Sequence, residues 1–166
     1  SQAKTTLESW YQTNIGSKSD LAKNVDSGAY YCEQAKAKYD SSWTSGNANM
    51  TLYSSYTPDF KCSSDGNGKG VVSASVGLLN YDEVVYAGGY YGKSNSSYYL
   101  YNNTYFWTMS PAGFSGSYSY VWNVYTTGSI YYDIVNGTFR LRPVLILNAD
   151  TLVTGTGTSS DPFVVS

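Results

Sequence analysis

A chain of 166 residues, 42% hydrophobic and 13% charged, carries enough apolar side chains for the core of one domain and excludes both a disordered and a membrane-spanning reading. Ten basic against twelve acidic groups leave a formal charge of −2, without the positive field that gathers a polyphosphate, so nucleic acid is not an expected partner. The absence of histidine removes the commonest general base, the usual metal ligand and every Ser-His-Asp or Cys-His arrangement.

In residues 2 to 15, Ala3, Leu7, Trp10, Tyr11 and Ile15 recur at spacings of three and four, which predicts a helix with these side chains on one face. From residue 16 to 76 the periodicity weakens into Gly/Ser/Asn clusters with short β-prone pieces at Ala29 to Cys32 and Met50 to Tyr56, so this stretch is expected to be loop-rich. Cys32 and Cys62 lie within it. An even cysteine count in a Ser/Thr/Asn-rich chain suggests an oxidising, extracellular setting and a disulfide between the two, worth about 3–4 kcal/mol on the chain-entropy model. Two buried free thiols are the alternative.

In VGLLNYDEVVYAGG, Asn80 caps a short helix while Glu83 reaches back to the cap N–H, a capping box. Gly88 and Gly89 end the helix, Val84, Val85 and Ala87 pack inward with Leu79, and Asp82 sits near the positive end of the dipole. Residues 119 to 126 alternate Tyr120, Trp122 and Val124 against Asn123 and Tyr125. Thr127-Gly128 offers a turn, and Ile130, Tyr132 and Ile134 alternate again, predicting a hairpin with one buried face. The run from Phe139 to Leu147 suits a strand covered on both faces, with Pro143 marking a bulge or a missing ladder bond. The final GTGTSSDPFVVS reads as a Gly/Thr turn and a short closing strand. One domain, residues 1–166, is expected, without internal repeats.

Candidate sites are few. Asp65-Gly-Asn67-Gly-Lys69-Gly70 imitates a calcium loop, but Lys69 occupies a ligand position and Val76 stands where a bidentate Glu belongs, so it reads as a Gly-rich turn. Asp82 and Glu83 could in principle serve as an acid/base pair, but neighbours on a helix point about 100° apart, so catalysis would need a distant acid such as Asp133. Arg140 and Arg142 share one strand face. Arg142 is expected to pair with Asp82 or Glu83 and clamp helix to sheet, a substrate-anion site being the sharper alternative. Sequons at Asn49, Asn95, Asn102 and Asn136 arise easily in this composition. No metal or cofactor is expected, and Ser1 is expected to follow a processing or cloning boundary, since neither a signal peptide nor a hydrophobic anchor is read.

Nineteen tyrosines with few charges resemble the flat amphipathic rings of antibody paratopes, although Tyr is also a good strand former on a half-exposed sheet. Tyr90, Tyr91, Tyr99, Tyr101, Tyr105, Tyr118, Tyr120, Tyr125 and Tyr131 cluster between residues 90 and 132 and form the expected contact surface, for a glycan or a surface protein.

The opening KTTLESWYQTNI, the Tyr-Cys segment, VGLLNYDEVVYAGG, YYLYNNTYFWTMSP, the G-S-I turn, FRLRPVLIL and GTGTSSDPFVV together resemble a family of secreted or surface-attached proteins of Gram-positive gut bacteria. The specific parts are Asp82-Glu83-Val84 with Ala87-Gly88, Trp107-Thr108-x-Ser110-Pro111, Arg142-Pro143-Val144, Gly155-x-Gly157-Thr158 and Asp161-Pro162. Members look like distant relatives of the C-type-lectin-like fold of phage receptor-binding tips and formylglycine-generating enzymes. That resemblance implies an α+β domain: a twisted antiparallel sheet, one or two helices and long ordered loops. Two departures stand out. The family's upstream strand pair is missing before Ser1, and Phe139-Arg140-Leu141 stands where a Gly-Val is more usual. The catalytic cysteines of the enzymes have no counterpart, so their activity does not transfer.

The expected function is an extracellular or cell-surface recognition or adhesion domain, non-enzymatic and without direct membrane insertion. Two alternatives stand beside it: a subunit of a surface fibre or pilus that self-assembles by strand addition at a sheet edge, motivated by the absent upstream strands, and a carboxylate-based hydrolase.

Overall fold

The computed structural model describes residues 1–32, 37–39, 45–48, 58, 60, 71–115, 117–158 and 160–165. Its elements in chain order begin with α1 (Gln2–Tyr11), a π-helical turn (Gln12–Gly16), α2 (Ser19–Ala22), and the strands β1 (Tyr30–Cys32), β2 (Ala37–Tyr39), β3 (Ser45–Ala48), β4 (Val71–Ser73) and β5 (Gly77–Leu78). They continue through α3 (Tyr81–Tyr86), β6 (Tyr90–Tyr91), β7 (Phe106–Ser115), β8 (Tyr118–Val124), β9 (Ser129–Ile134), β10 (Pro143–Val144), β11 (Val153–Thr154) and β12 (Val164–Val165). The class is α+β, with few helices and several sheets. The chain forms two compact units, Ser1–Ala29 with Ser73–Gly77 and Pro143–Ser166, and Tyr30–Val72 with Leu78–Arg142.

In the first unit, the Ser1 hydroxyl caps α1 by accepting from the Lys4 N–H at 3.2 Å, which satisfies one of the first-turn donors that a helix leaves open. Leu7 and Tyr11, one turn apart, are its buried residues. Trp10 is 38% exposed and Ala3 also faces out, so the predicted apolar face is narrower than its spacing suggests. The helix then widens into the π turn, where Ser17 N–H reaches back five residues to the Gln12 carbonyl. Residues 24–26 meet the C-terminal segment through a Val25–Leu147 bridge, an Asp26 N–H to Ile146 carbonyl bond and an Asn148 N–H to Asn24 carbonyl bond. As the terminal Gly/Thr turn predicts, β11 and β12 pair antiparallel, with Val153 opposite Val165.

The second unit is built on a six-stranded sheet of order β2-β3-β7-β8-β9-β6. All its pairings are antiparallel except β6 on β9. The β8–β9 hairpin has Trp122 opposite Tyr132 and Val124 opposite Ile130. Its loop closes with a Gly128 N–H to Tyr125 carbonyl bond, and Gly128 stands at φ 78°, a tight turn ending on a left-handed glycine, as three-residue hairpin loops commonly do. The predicted hairpin is there, but the expectation of a single buried face needs correction. Trp122, Asn123 and Val124 are consecutive and all buried, because the strand lies between β7 and β9 and side chains cover it from both sides.

Alternation divides the sheet. Phe106, Trp122, Val124 and Ile130 point to one face, where α3 packs its Tyr81 ring against Trp122 at a centroid distance of 4.4 Å. Trp107, Asn123 and Tyr131, in register across β7, β8 and β9, point to the other. The capping box predicted for α3 is present: Glu83 N–H donates to Asn80 Oδ1 and Asn80 N–H to Glu83 Oε2, both at 2.8 Å. Val84, Val85 and Leu79 are buried as expected, and Gly88 follows the cap at φ 112°.

Register shifts on both sides of Pro111 bulge β7, as a residue without an N–H requires inside a ladder. The bulge turns the backbone of residues 108–110 toward α3. Met109 N–H donates to the Leu79 carbonyl, and the Ser110 hydroxyl accepts from Tyr81 N–H at 2.8 Å. Ser110 is fully buried, so Ser110→Ala leaves a first-turn N–H of α3 without its partner. A loss of about 1–3 kcal/mol is expected in urea unfolding, and a change within 0.5 kcal/mol would show that this bond does not hold α3 to the sheet.

The long strand expected over Phe139 to Leu147 does not form. Arg140 bonds on both sides to the start of β7, its N–H to the Tyr105 carbonyl and its carbonyl to the Trp107 N–H. Pro143, with no N–H, then stops the ladder, only Pro143–Val144 counts as strand, and Ile146 and Leu147 turn to residues 25 and 26 with exposed side chains. A run that changes partners this way buries less than a two-faced strand would. The strand expected at Ala29 to Cys32 appears as β1, whereas Met50 to Tyr56 and the Asp65–Gly70 turn lie outside the described residues.

Candidate functional site

The tyrosines of residues 90–132 do not make one surface. On the face opposite α3, Tyr105, Tyr125 and Tyr131 touch in sequence, with centroids 4.8 Å apart for Tyr105–Tyr125 and 4.9 Å for Tyr125–Tyr131. Phe139, carried there by the Arg140 bonds, packs on Tyr105 at 5.6 Å and on Trp107 at 4.3 Å. On the α3 face, Tyr120 meets Tyr132. Tyr91, on the edge strand β6, touches Trp122, Tyr131 and Tyr132. Tyr101 leans on buried Tyr98, while Tyr90, Tyr118 and Tyr99 are exposed, Tyr99 at 74%. The split follows from the two-residue period of the strands, which sends neighbours in sequence to opposite sides.

The row Tyr105–Tyr125–Tyr131 has two polar neighbours on its face of the sheet. Tyr125 Oη donates to Asp133 Oδ2 at 3.4 Å, and the other carboxylate oxygen accepts from Ile134 N–H at 2.9 Å. Burial, then the negative charge of Asp133, pushes the Tyr125 hydroxyl pKa above its ordinary value, so this ring stays a neutral hydrogen-bond donor across the physiological range. On the same face lies Asn123, between Trp107 and Tyr131 in register, with 0% exposure. Neither its amide oxygen nor its nitrogen meets a hydrogen-bond partner. Alternation alone points Asn123 outward. Its full burial, beside Trp107 and Tyr131 in register, is not legible from β8.

The clamp expected from Arg142 to Asp82 or Glu83 is not made. Arg142 donates to the Leu100 carbonyl and stands over the Phe106 ring, 5.4 Å from its centroid, and Glu83 is occupied by its capping box. Arg142 therefore ties the 95–104 loop to the sheet. Tyr98, in that loop, has its hydroxyl pKa pushed up to about 12 by burial, against the lowering effect of Arg142. Asp82 is 1% exposed in the first turn of α3, on the sheet face opposite Asp133, so these two acids cannot converge on one reacting group.

Burial also raises the Glu83 carboxyl above its ordinary value, partly offset by the Asn80 N–H bond. An acid whose folded pKa is raised favours the fold in its protonated form, so its contribution falls as pH rises from 4.5, the ordinary value, through the raised one. Glu83→Gln keeps the acceptor of the capping box and removes the charge. Thermal melts of the variant should lose this acid-side dependence, and an unchanged pH profile would remove Glu83 as its source.

Among the described residues, no three His, Cys, Asp or Glu side chains gather to hold a metal, and no helix is long and apolar enough to cross a membrane. Cys32 is half-buried on β1, no free cysteine stands among the described residues, and Cys62 lies outside them. No family model, curated protein or solved structure matches the chain.

Proposed function

We propose that this chain is an extracellular or cell-surface recognition domain of C-type-lectin-like kind, non-enzymatic, that holds a glycan or glycosylated surface protein through its tyrosines. The observation that carries the reading is the half-exposed row Tyr105–Tyr125–Tyr131 beside the Asp133 carboxylate. Ring faces lie against the C–H faces of a sugar while phenol hydroxyls and a carboxylate take its hydroxyl groups. The likeness to C-type-lectin-like relatives in Gram-positive gut bacteria belongs to this proposal and is supported by motif order, above all Trp107-Thr108-x-Ser110-Pro111 at the joint of α3 and the sheet. The oxidising location is supported by the even cysteine count in a Ser/Thr/Asn-rich chain, and in this reading Cys32 pairs with Cys62.

Fibre assembly by strand addition has little backbone to use at β9. The bonds Tyr125 N–H to Ser129 carbonyl and Val135 N–H to Ser119 carbonyl turn the odd residues of β9 inward and the even ones outward. Of these, the Ile130 carbonyl accepts from Gly92, the Ile134 carbonyl from Gly137, and the Ile134 N–H donates to Asp133. Beyond β6, among the described residues, Tyr132 alone is left on that side of β9 to receive another strand, a blunted stretch of the kind that resists pairing.

A glycan array probed with the labelled chain is the test. Saturable binding to at least one glycan is expected, and no binding to any glycan or immobilised glycoprotein would overturn the reading. Intact mass after alkylation, with and without reductant, checks the cysteines: two alkylated thiols in protein kept oxidised would remove the argument for secretion.

A further inference from the structure

A primary amide that is wholly buried and meets no partner at either atom is rare, because folding strips its water and returns nothing. Asn123 is in that position, and flipping the amide changes nothing, since its oxygen and nitrogen are equally unmet. Apolar residues of similar size would fill the space beside Trp107 and Tyr131 at lower cost, so packing alone does not account for Asn123. What shares its face is also specific. Tyr105, Tyr125 and Tyr131 are partly exposed rings, so a change of side-chain rotamer there need not move the backbone. Asp133 holds an acceptor-only group at the same place through Tyr125.

We infer that Asn123, the Tyr105–Tyr125–Tyr131 row on the same face and Asp133 form a subsite for one neutral pyranose ring. A rotation of Tyr125 or Tyr131 admits two adjacent sugar hydroxyls to the amide. The amide offers an acceptor beside two donors, and neighbouring hydroxyls, each both donor and acceptor, answer both. The tyrosine faces take the C–H side of the sugar. The Asp133 carboxylate accepts from a further hydroxyl and repels phosphate or carboxylate, which excludes anionic ligands.

This inference rests on the glycan-binding reading and narrows it to one face of the sheet. The test titrates wild type and Asn123→Leu with methyl glycosides of mannose, galactose, glucose and N-acetylglucosamine, followed by calorimetry, with N-acetylglycinamide and adenosine as non-sugar amide and base probes. At least one glycoside should bind wild type, and Asn123→Leu should weaken it at least tenfold while melting at an equal or higher temperature, since it removes a buried unpaired amide. Equal binding by both proteins overturns the inference, as does binding of N-acetylglycinamide or adenosine in place of every glycoside. If no glycoside binds wild type, the subsite is wrong, and the array alone then decides the broader reading. Should the leucine variant fail to fold, the side-chain NH2 resonances of Asn123 in wild type answer instead. They should shift during the titration, and fixed resonances beside shifting backbone signals sink the proposal.

Discussion

Trp122→Ala should destabilise the sheet-bearing unit by about 3–5 kcal/mol, a large share of the 5–15 kcal/mol typical of a domain. Trp122 is fully buried at the centre of β8. Its ring meets Tyr81 of α3, Tyr91 of β6 and Tyr132 of β9 at centroid distances of 4.4, 5.8 and 5.5 Å, so one side chain joins the helix to two strands. Truncation leaves a cavity bordered by three aromatic rings, which cannot collapse without moving a strand or the helix, and cavity cost grows with such resistance. Urea unfolding followed by far-ultraviolet circular dichroism measures it. Trp122→Phe, which keeps a ring, should recover roughly half of the loss, and a cost below 1 kcal/mol for the alanine variant would mean that the core of this unit lies elsewhere.

How much of this was legible in the sequence depended on how local the cause was. The capping box of Asn80 and Glu83 was, because both partners lie within four residues and their chemistry is fixed by spacing. So was the β8–β9 hairpin, whose alternation and Thr127-Gly128 turn are adjacent in the chain. The side of the sheet that each tyrosine occupies was legible within a strand. The assembly of Tyr105, Tyr125 and Tyr131 was not, because it depends on β7 registering with β8 and on Phe139 returning beside Tyr105 through the Arg140 bonds. Asn123 illustrates the gap best. Alternation places it opposite Trp122 and so suggests solvent, yet it is wholly buried, with Trp107 and Tyr131 of other strands beside it in register. The Phe139 to Leu147 run failed for a related reason: hydrophobicity says how much a segment wants cover, and says nothing of a change of partners halfway along it.

Gly128→Ala should cost about 2–5 kcal/mol, from a strained left-handed residue and an overpacked contact together. At φ 78° a Cβ is already disfavoured, and there it would also collide with the Asn95 carbonyl and crowd the Tyr101 ring at 3.0 Å. The obstacle cannot step aside cheaply. Asn95 N–H donates to the Thr127 carbonyl, its side-chain amide donates to the Gly88 carbonyl at 2.8 Å, and its Oδ1 accepts from Ser97. One asparagine thus ties the hairpin tip to the end of α3 and to the 95–104 loop, and displacing it breaks all three attachments. The same turn sets the start of β9 and, through Tyr125, the row of rings on the face of Asn123. Gly128→Ala should therefore weaken glycan binding as well as lower the melting temperature, whereas Ser110→Ala, acting on the α3 side of the sheet, should lower stability alone. Equal loss of binding in the two variants at a temperature where both are folded would argue that the rings are held by general stability and not by this turn.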